Sequence, residues 1–245
     1  MCNERRGQLR MYYVSTSREG SIIGSKSLSS KYNKMNYRKS EVDSDLMPMM
    51  KNYGNQLKID IAKNILIQQA TLDEFIKGLI ECDKKGLINT KVVWNLSAFV
   101  NIISLDLKII TRDLALAEDD WSQRHYIRQA YLLIYEFYKT YNSEQDFYIL
   151  INEKLDISEL NTEKQLVIKL LRDYKKKYEK TFLTIRKNTI GHRSHDVMLQ
   201  IELIENLNYS EAIEIITNFD KILNQLGAFM QKIINIGLEN LSRFL

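Results

Sequence analysis

Residues 186–192 read Arg-Lys-Asn-Thr-Ile-Gly-His, and they bring an arginine close to one of the chain's three histidines. A guanidinium stays charged at ordinary pH and offers a fork of donors matched to phosphate oxygens. An imidazole can gain or lose a proton near neutrality. Arg186 and His192 could therefore hold a phosphodiester and move a proton on it without a metal. Asn188 adds a neutral amide that could orient the imidazole or bind a phosphate oxygen. The segment before it carries Arg172, Lys175, Lys176, Lys177 and Lys180, and Lys187 and Arg193 lie beside the pair. A polyanion would find a basic approach there.

The elements that must position these residues are helical. Asn161 and Thr162 are N-cap candidates for a helix that runs to about Lys187. Its buried stripe is Val167, Leu171, Tyr174, Tyr178, Phe182 and Ile185, at steps of three and four. Gly191 breaks that pattern, and Ser194 can cap a helix beginning near His195. The Arg186–His192 stretch thus falls where one long helix stops and another starts, so backbone N–H groups near Ser194 could face an anion.

Upstream, Leu57–Gln69 and Thr71–Cys82 read as two helices or one interrupted helix, ended by Lys84-Lys85-Gly86. The next helix spans Thr90–Glu118, with Phe99, Ile102, Ile103, Leu105, Ile109, Ile110 and Leu114 mostly on one face. Glu118-Asp119-Asp120 is a turn and an N-terminal signal, because carboxylates favour the positive end of a helix dipole. It starts a helix over Trp121–Tyr141 with an inner stripe of Ile127, Tyr131, Ile134, Tyr135 and Tyr138. A short helix is expected at Gln145–Lys154. The last helix, Ser210–Leu241, carries Ile216, Phe219, Leu223, Leu226, Met230 and Ile233 as a heptad-like seam.

Composition agrees. One proline and nine glycines in 245 residues are too few for a turn-rich all-β chain, and 44% hydrophobic residues suffice for a core. The expected fold class is all-α, an antiparallel helical bundle with an irregular N-terminal arm. The arm is placed at residues 1–54 and the bundle at residues 55–245, with Pro48 and Gly54 marking the boundary. The first 50 residues hold nine Lys/Arg against five Asp/Glu, while the remainder holds 26 of each, so the arm carries the whole formal excess of +4. The two cysteines, Cys2 and Cys82, form no ligand pattern, which argues against structural zinc. The N-terminus lacks the apolar core of a signal peptide. The most apolar run, Phe99–Ile110, is interrupted by Asn101, Ser104, Asp106 and Lys108, so no membrane span is expected. A reducing, cytoplasmic setting follows as the default expectation.

The Arg186-to-His192 stretch resembles the signature of the HEPN superfamily, all-helical nucleotide-binding domains of many prokaryotic toxins and defence proteins. The family motif is an arginine, four to six residues, and a histidine; here five residues intervene. The resemblance covers this motif and, loosely, the helical region at 90–241. It implies a bundle that dimerises with two motifs face to face, and metal-independent cleavage of RNA by the active members. Two positions depart from the common pattern. The family usually has Asn, Asp or His directly after the arginine, whereas Lys187 stands there and Asn188 comes one later. A subgroup carries a tyrosine two residues after the histidine, where this chain has Ser194. Several branches of the family are catalytically inert.

Carried onto these residues, the resemblance implies a homodimeric endoribonuclease acting as a toxin or anti-phage effector, with Arg186 and His192 catalytic and Asn188 supporting. Arg172, Lys175, Lys176, Lys180, Lys187 and Arg193 would bind RNA. No cofactor and no metal is expected, and an antitoxin or defence-complex partner would fit that role. The alternatives from other classes are a non-catalytic helical adaptor in a larger assembly and a nucleic-acid-binding module without chemistry.

Other residues have plainer readings. His192 and His195 stand three apart, but with only Asp196 nearby they make an incomplete metal set, and a capping or surface role explains His195 better. His125, beside Arg124 and Arg128, reads as a polar helix face, with a second anion contact as the alternative. The tyrosines of Trp121–Tyr141 suit core packing before base stacking. Tyr12, Tyr13, Tyr32 and Tyr37 in the arm are freer to stack on single-stranded nucleic acid or to anchor the arm on a protein. No P-loop, GxGxxG, GxSxG or HExxH motif is present.

Overall fold

The computed structural model describes residues 46–141, 149, 151–152, 157–190 and 195–239. Six α-helices account for nearly all of them, and no strand occurs among the described residues. They are α1 (Leu46–Lys85), α2 (Ile88–Leu116), α3 (Asp120–Tyr141), α4 (Asn161–Ile185), α5 (Val197–Glu205) and α6 (Tyr209–Glu239). The chain is an all-α bundle. Its centre is a ring of four helices in which α2 packs on α3, α3 on α4, α4 on α6, and α6 back on α2; α1 lies outside against α2.

Directions follow from which residues meet. Gln68 bonds Ser104 and Lys91 pairs with Asp83, so numbers fall along α1 as they rise along α2. The hairpin closes at Gly86, whose φ of +66° lies in the left-handed region that costs glycine little. Across α3 and α4 the Tyr138 hydroxyl donates to the Leu171 carbonyl at 3.1 Å, and Tyr131 meets Phe182 edge-on. Across α4 and α6 the Tyr174 hydroxyl donates to the Ile215 carbonyl at 3.0 Å, and Lys232 pairs with Glu163. Each of these neighbouring pairs is antiparallel.

The core is aromatic where α3, α4 and α6 converge. Phe219 of α6 is fully buried among Phe137, Tyr138 and Tyr174. Edge-to-face and tilted ring pairs of this kind favour one arrangement beyond their area alone. Burial also holds the phenols of Tyr131, Tyr138 and Tyr174 well above the usual tyrosine range, so they stay neutral.

Helix starts show ordinary capping chemistry. Asp119 accepts the Ser122 backbone N–H at 2.8 Å and the Ser122 hydroxyl at 2.6 Å, and those bonds hold its carboxyl below the usual range. Asn208 caps α6 through the Glu211 N–H at 3.0 Å.

Two boundaries differ from the sequence expectation. A single helix covers 46–85, unbroken at Ala70 where an interruption was expected, and passes through both Pro48 and Gly54. Proline is tolerated in a first turn because the N–H it lacks has no partner there. The long helix before the candidate site ends close to the expected Lys187, with α-helical geometry to Ile185 and a π-helical turn over Arg186–Ile190. The following helix begins at Val197 and is capped by Asp196, which accepts the Leu199 N–H at 3.0 Å. The helix expected at Gln145–Lys154 falls mostly outside the described residues, and all of the arm before Leu46 does so.

The helix α2 is long and apolar enough to cross a membrane by length and composition. It contacts α1, α3 and α6. Its polar residues Ser97, Asn101 and Ser104 are buried among those neighbours.

Candidate active site at the end of α4

The sequence makes the end of α4 a place where backbone and side chains compete for the same carbonyls. The Asn188 amide donates to the Thr184 carbonyl and the Thr189 hydroxyl to the Ile185 carbonyl, both at 2.8 Å. Hydroxyl and amide side chains that bond back in this way loosen helical geometry. Here the α-helix passes into a π-helical turn over Arg186–Ile190, a widened form that recurs at functional sites. Arg128 of α3, itself buried, reaches the Thr189 carbonyl with Nη1 at 3.5 Å and the Arg124 carbonyl with Nε at 3.2 Å. The turn therefore packs on α3 with polar contacts at both ends, and α5 packs beside it.

Arg186 opens the turn. Its Nε donates to Glu136 Oε1 at 2.8 Å, and its guanidinium carbon lies 5.0 Å from the centre of the Tyr135 ring. Consecutive residues of α3 thus supply a carboxylate and an aromatic face. A paired and stacked guanidinium keeps its orientation better than a free one. The side chain remains 21% exposed, so it is neither free in solvent nor sealed beneath hydrocarbon.

His192 and Arg193 lie outside the described residues, as do Gly191 and Ser194. His195 and Asp196, just beyond them, are exposed. Asn188 is half-buried, with its amide committed to Thr184. Among the described residues no three His, Cys, Asp or Glu side chains come together as a ligand set.

The basic residues divide by helix face. Arg172, Lys176, Lys180 and Lys187 are exposed, and the first three step by four along α4, opposite its buried stripe. Arg172 stands 3.8 Å from the neighbouring Asp173. Lys175 lies toward α3, half-buried and 3.5 Å from Glu179. Lys177 lies 4.7 Å from the Tyr178 ring centre, which occupies its charge within α4. His125 is exposed and meets Tyr126 edge-on, as a polar helix face would.

Glu136 and Tyr135 are the site residues that sequence reasoning overlooks in this role. Tyr135 is visible only as a member of the inner stripe of α3. Glu136 has no marker at all, because its partner stands 50 positions later.

Comparison with protein-family models, characterised proteins and solved structures finds no match, so the functional reading rests on this chain's own residues.

Proposed function

We propose that this chain is a metal-independent endoribonuclease of HEPN type, acting as a homodimer in the cytoplasm as a toxin or anti-phage effector. One observation carries the reading. Arg186 is held by Glu136 and Tyr135 at the widened end of α4, and His192 follows it by six positions. Neutral His192 of one protomer takes the proton of a ribose 2′-hydroxyl, and the oxygen attacks the adjacent phosphorus. Arg186 offsets the negative charge that develops on the phosphoryl oxygens. The second protomer's imidazole gives a proton to the leaving 5′-oxygen. The products are a 2′,3′-cyclic phosphate and a 5′-hydroxyl, and DNA is inert because it lacks the nucleophile.

The exposed row of Arg172, Lys176 and Lys180 supports an RNA substrate, since cations repeated along one helix face suit a phosphate backbone. Lys175, Lys187 and Arg193 extend that basic character in the proposal. The biological role and any antitoxin or defence-complex partner rest on the motif resemblance alone.

A second reading has its own observation. The Arg186–Glu136 pair ties α3 to α4 and leaves the arginine compensated, as a structural pair in a non-catalytic adaptor would be. Incubation of the protein with labelled RNA in excess chelator, beside the Arg186→Ala/His192→Ala double variant, separates the two. Fragments from the native protein alone support cleavage. Intact RNA from both leaves the adaptor.

A further inference from the structure

We propose that the groove between α3 and α4, beside Arg186, is a binding subsite for one nucleotide of the RNA strand, with its phosphate on Lys139 and Lys175 and its base against Tyr135. This rests on the ribonuclease reading and deepens it by giving the strand a place next to the reacting phosphate.

The groove has a volume of about 290 Å³ and is lined by Tyr135, Tyr138, Lys139, Lys175, Glu179 and Phe182. That is near the lower limit for small-molecule sites, a size suited to a single nucleotide unit and too small for a folded partner. Its lining is asymmetric in a useful way. Tyr138 and Phe182 are buried and form an apolar floor, while Tyr135 is only half-buried. The two ammonium groups come from opposite walls, Lys139 on α3 and Lys175 on α4. Lys139 is exposed at the rim, and Lys175 is held 3.5 Å from Glu179, whose carboxylate could also accept a ribose hydroxyl or a base amino group. Two cations against the one Glu179 carboxylate leave an aromatic-walled recess with a net positive lining, which suits a phosphate joined to a flat ring.

Tyr135 connects this recess to the candidate site, because the same ring takes the Arg186 guanidinium at 5.0 Å. A nucleotide seated in the groove therefore lies against the residue that positions Arg186. In this proposal the next phosphate along the strand is the one that Arg186 takes.

The test uses adenosine 5′-monophosphate, which is not a substrate for strand cleavage, so binding is read whether or not the protein cuts RNA. Titrations followed by tyrosine fluorescence or NMR compare the native full chain with Lys139→Ala/Lys175→Ala, with Tyr135→Leu, and with Lys84→Ala/Lys85→Ala on α1 as a charge-matched control. Circular dichroism checks folding, and the milder Lys139→Gln/Lys175→Gln pair stands in if the alanine pair unfolds. The lysine pair should weaken binding about tenfold or more while the control leaves it unchanged. Tyr135→Leu should bring the affinity for the nucleotide down to that for ribose 5-phosphate, which has no base to stack. No binding at millimolar nucleotide, or equal binding by native and lysine-pair proteins, overturns the subsite. Nucleotide binding in the groove with RNA left intact keeps the subsite and removes the cleavage reading.

Discussion

Arg186 Nε stands 2.8 Å from Glu136 Oε1 across the α3–α4 interface, and this contact restrains the orientation of the guanidinium. With Nε occupied, the terminal nitrogens make no hydrogen bond to a described residue and are the ones available to an anion. Removing the carboxylate should let the side chain swing, and small losses of orientation are costly to rate. Glu136→Ala should lower RNA cleavage by about ten- to a hundredfold. Glu136→Gln keeps an acceptor and should retain more activity than the alanine variant. Single-turnover cleavage rates of both proteins check this; equal rates for native and Glu136→Ala would show that the pair serves stability alone.

Glycine at position 78 offers a sharp packing test. In an exposed helix, Gly→Ala ordinarily stabilises by about 1 kcal/mol. Here a Cβ at Gly78 would stand 2.5 Å from the Trp94 ring, where α1 crosses α2. The indole is nearly buried and also packs edge-on against Phe75, so it has little room to retreat. Gly78→Ala should therefore destabilise by about 1–3 kcal/mol, read as a lower urea midpoint. A raised midpoint would mean that the two helices separate more easily than the packing suggests.

Alkaline pH should weaken the fold through its buried phenols. Tyr131, Tyr138 and Tyr174 all have their ionisation pushed above the ordinary value of 10.0, chiefly by burial. In the unfolded chain they ionise near that ordinary value, so there the unfolded state loses protons that the folded state keeps. Their contribution is whole below pH 10.0 and falls as pH rises past it. Denaturation midpoints measured from pH 8 to 11 should drop steeply at the top of that range. Tyr174→Phe should flatten the drop, although it also gives up the bond to the Ile215 carbonyl.

A polar network joins three helices. Lys108 Nζ donates to Ser104 at 2.9 Å and pairs with Asp220 at 3.1 Å, while Gln68 donates to the same Ser104 hydroxyl at 2.9 Å. Lys108 is only 18% exposed, so losing its carboxylate leaves a charge that water reaches poorly. Asp220→Ala should cost about 1–3 kcal/mol. The paired change Lys108→Met/Asp220→Leu should recover most of that loss, because removing both charges removes the desolvation penalty. Chemical denaturation of the two variants tests the difference between them.

Helices whose apolar residues face one side were legible in the sequence. All six seam residues of α6, from Ile216 to Ile233, are buried, and so is the α4 stripe apart from half-buried Tyr178. The α2 stripe was less faithful. Ile102, expected on its inner face, is exposed, whereas Ser97, Asn101 and Ser104 are buried. That helix lies among α1, α3 and α6, so no single face is its inside and a one-sided period misleads. The N-terminal reach of α1 was hidden by Pro48 and Gly54, which mark breaks in isolation but are tolerated near a helix start and within a long helix, and its continuity through Ala70 was not legible from the two apolar segments on either side. Around the candidate site, sequence spacing placed Arg186 at the end of a long helix, where the structure also has it. It could not show Glu136 or Tyr135, because their relation to Arg186 exists only after α3 and α4 have packed.

The most direct test places one ribonucleotide within a DNA strand and incubates it with the native protein in excess chelator. Cleavage only at the ribonucleotide, leaving a 2′,3′-cyclic phosphate and absent with either Arg186→Ala or His192→Ala, is the predicted result. An intact strand that the native protein also fails to cut when it is all RNA, or full cleavage by the His192→Ala protein, would contradict the assignment.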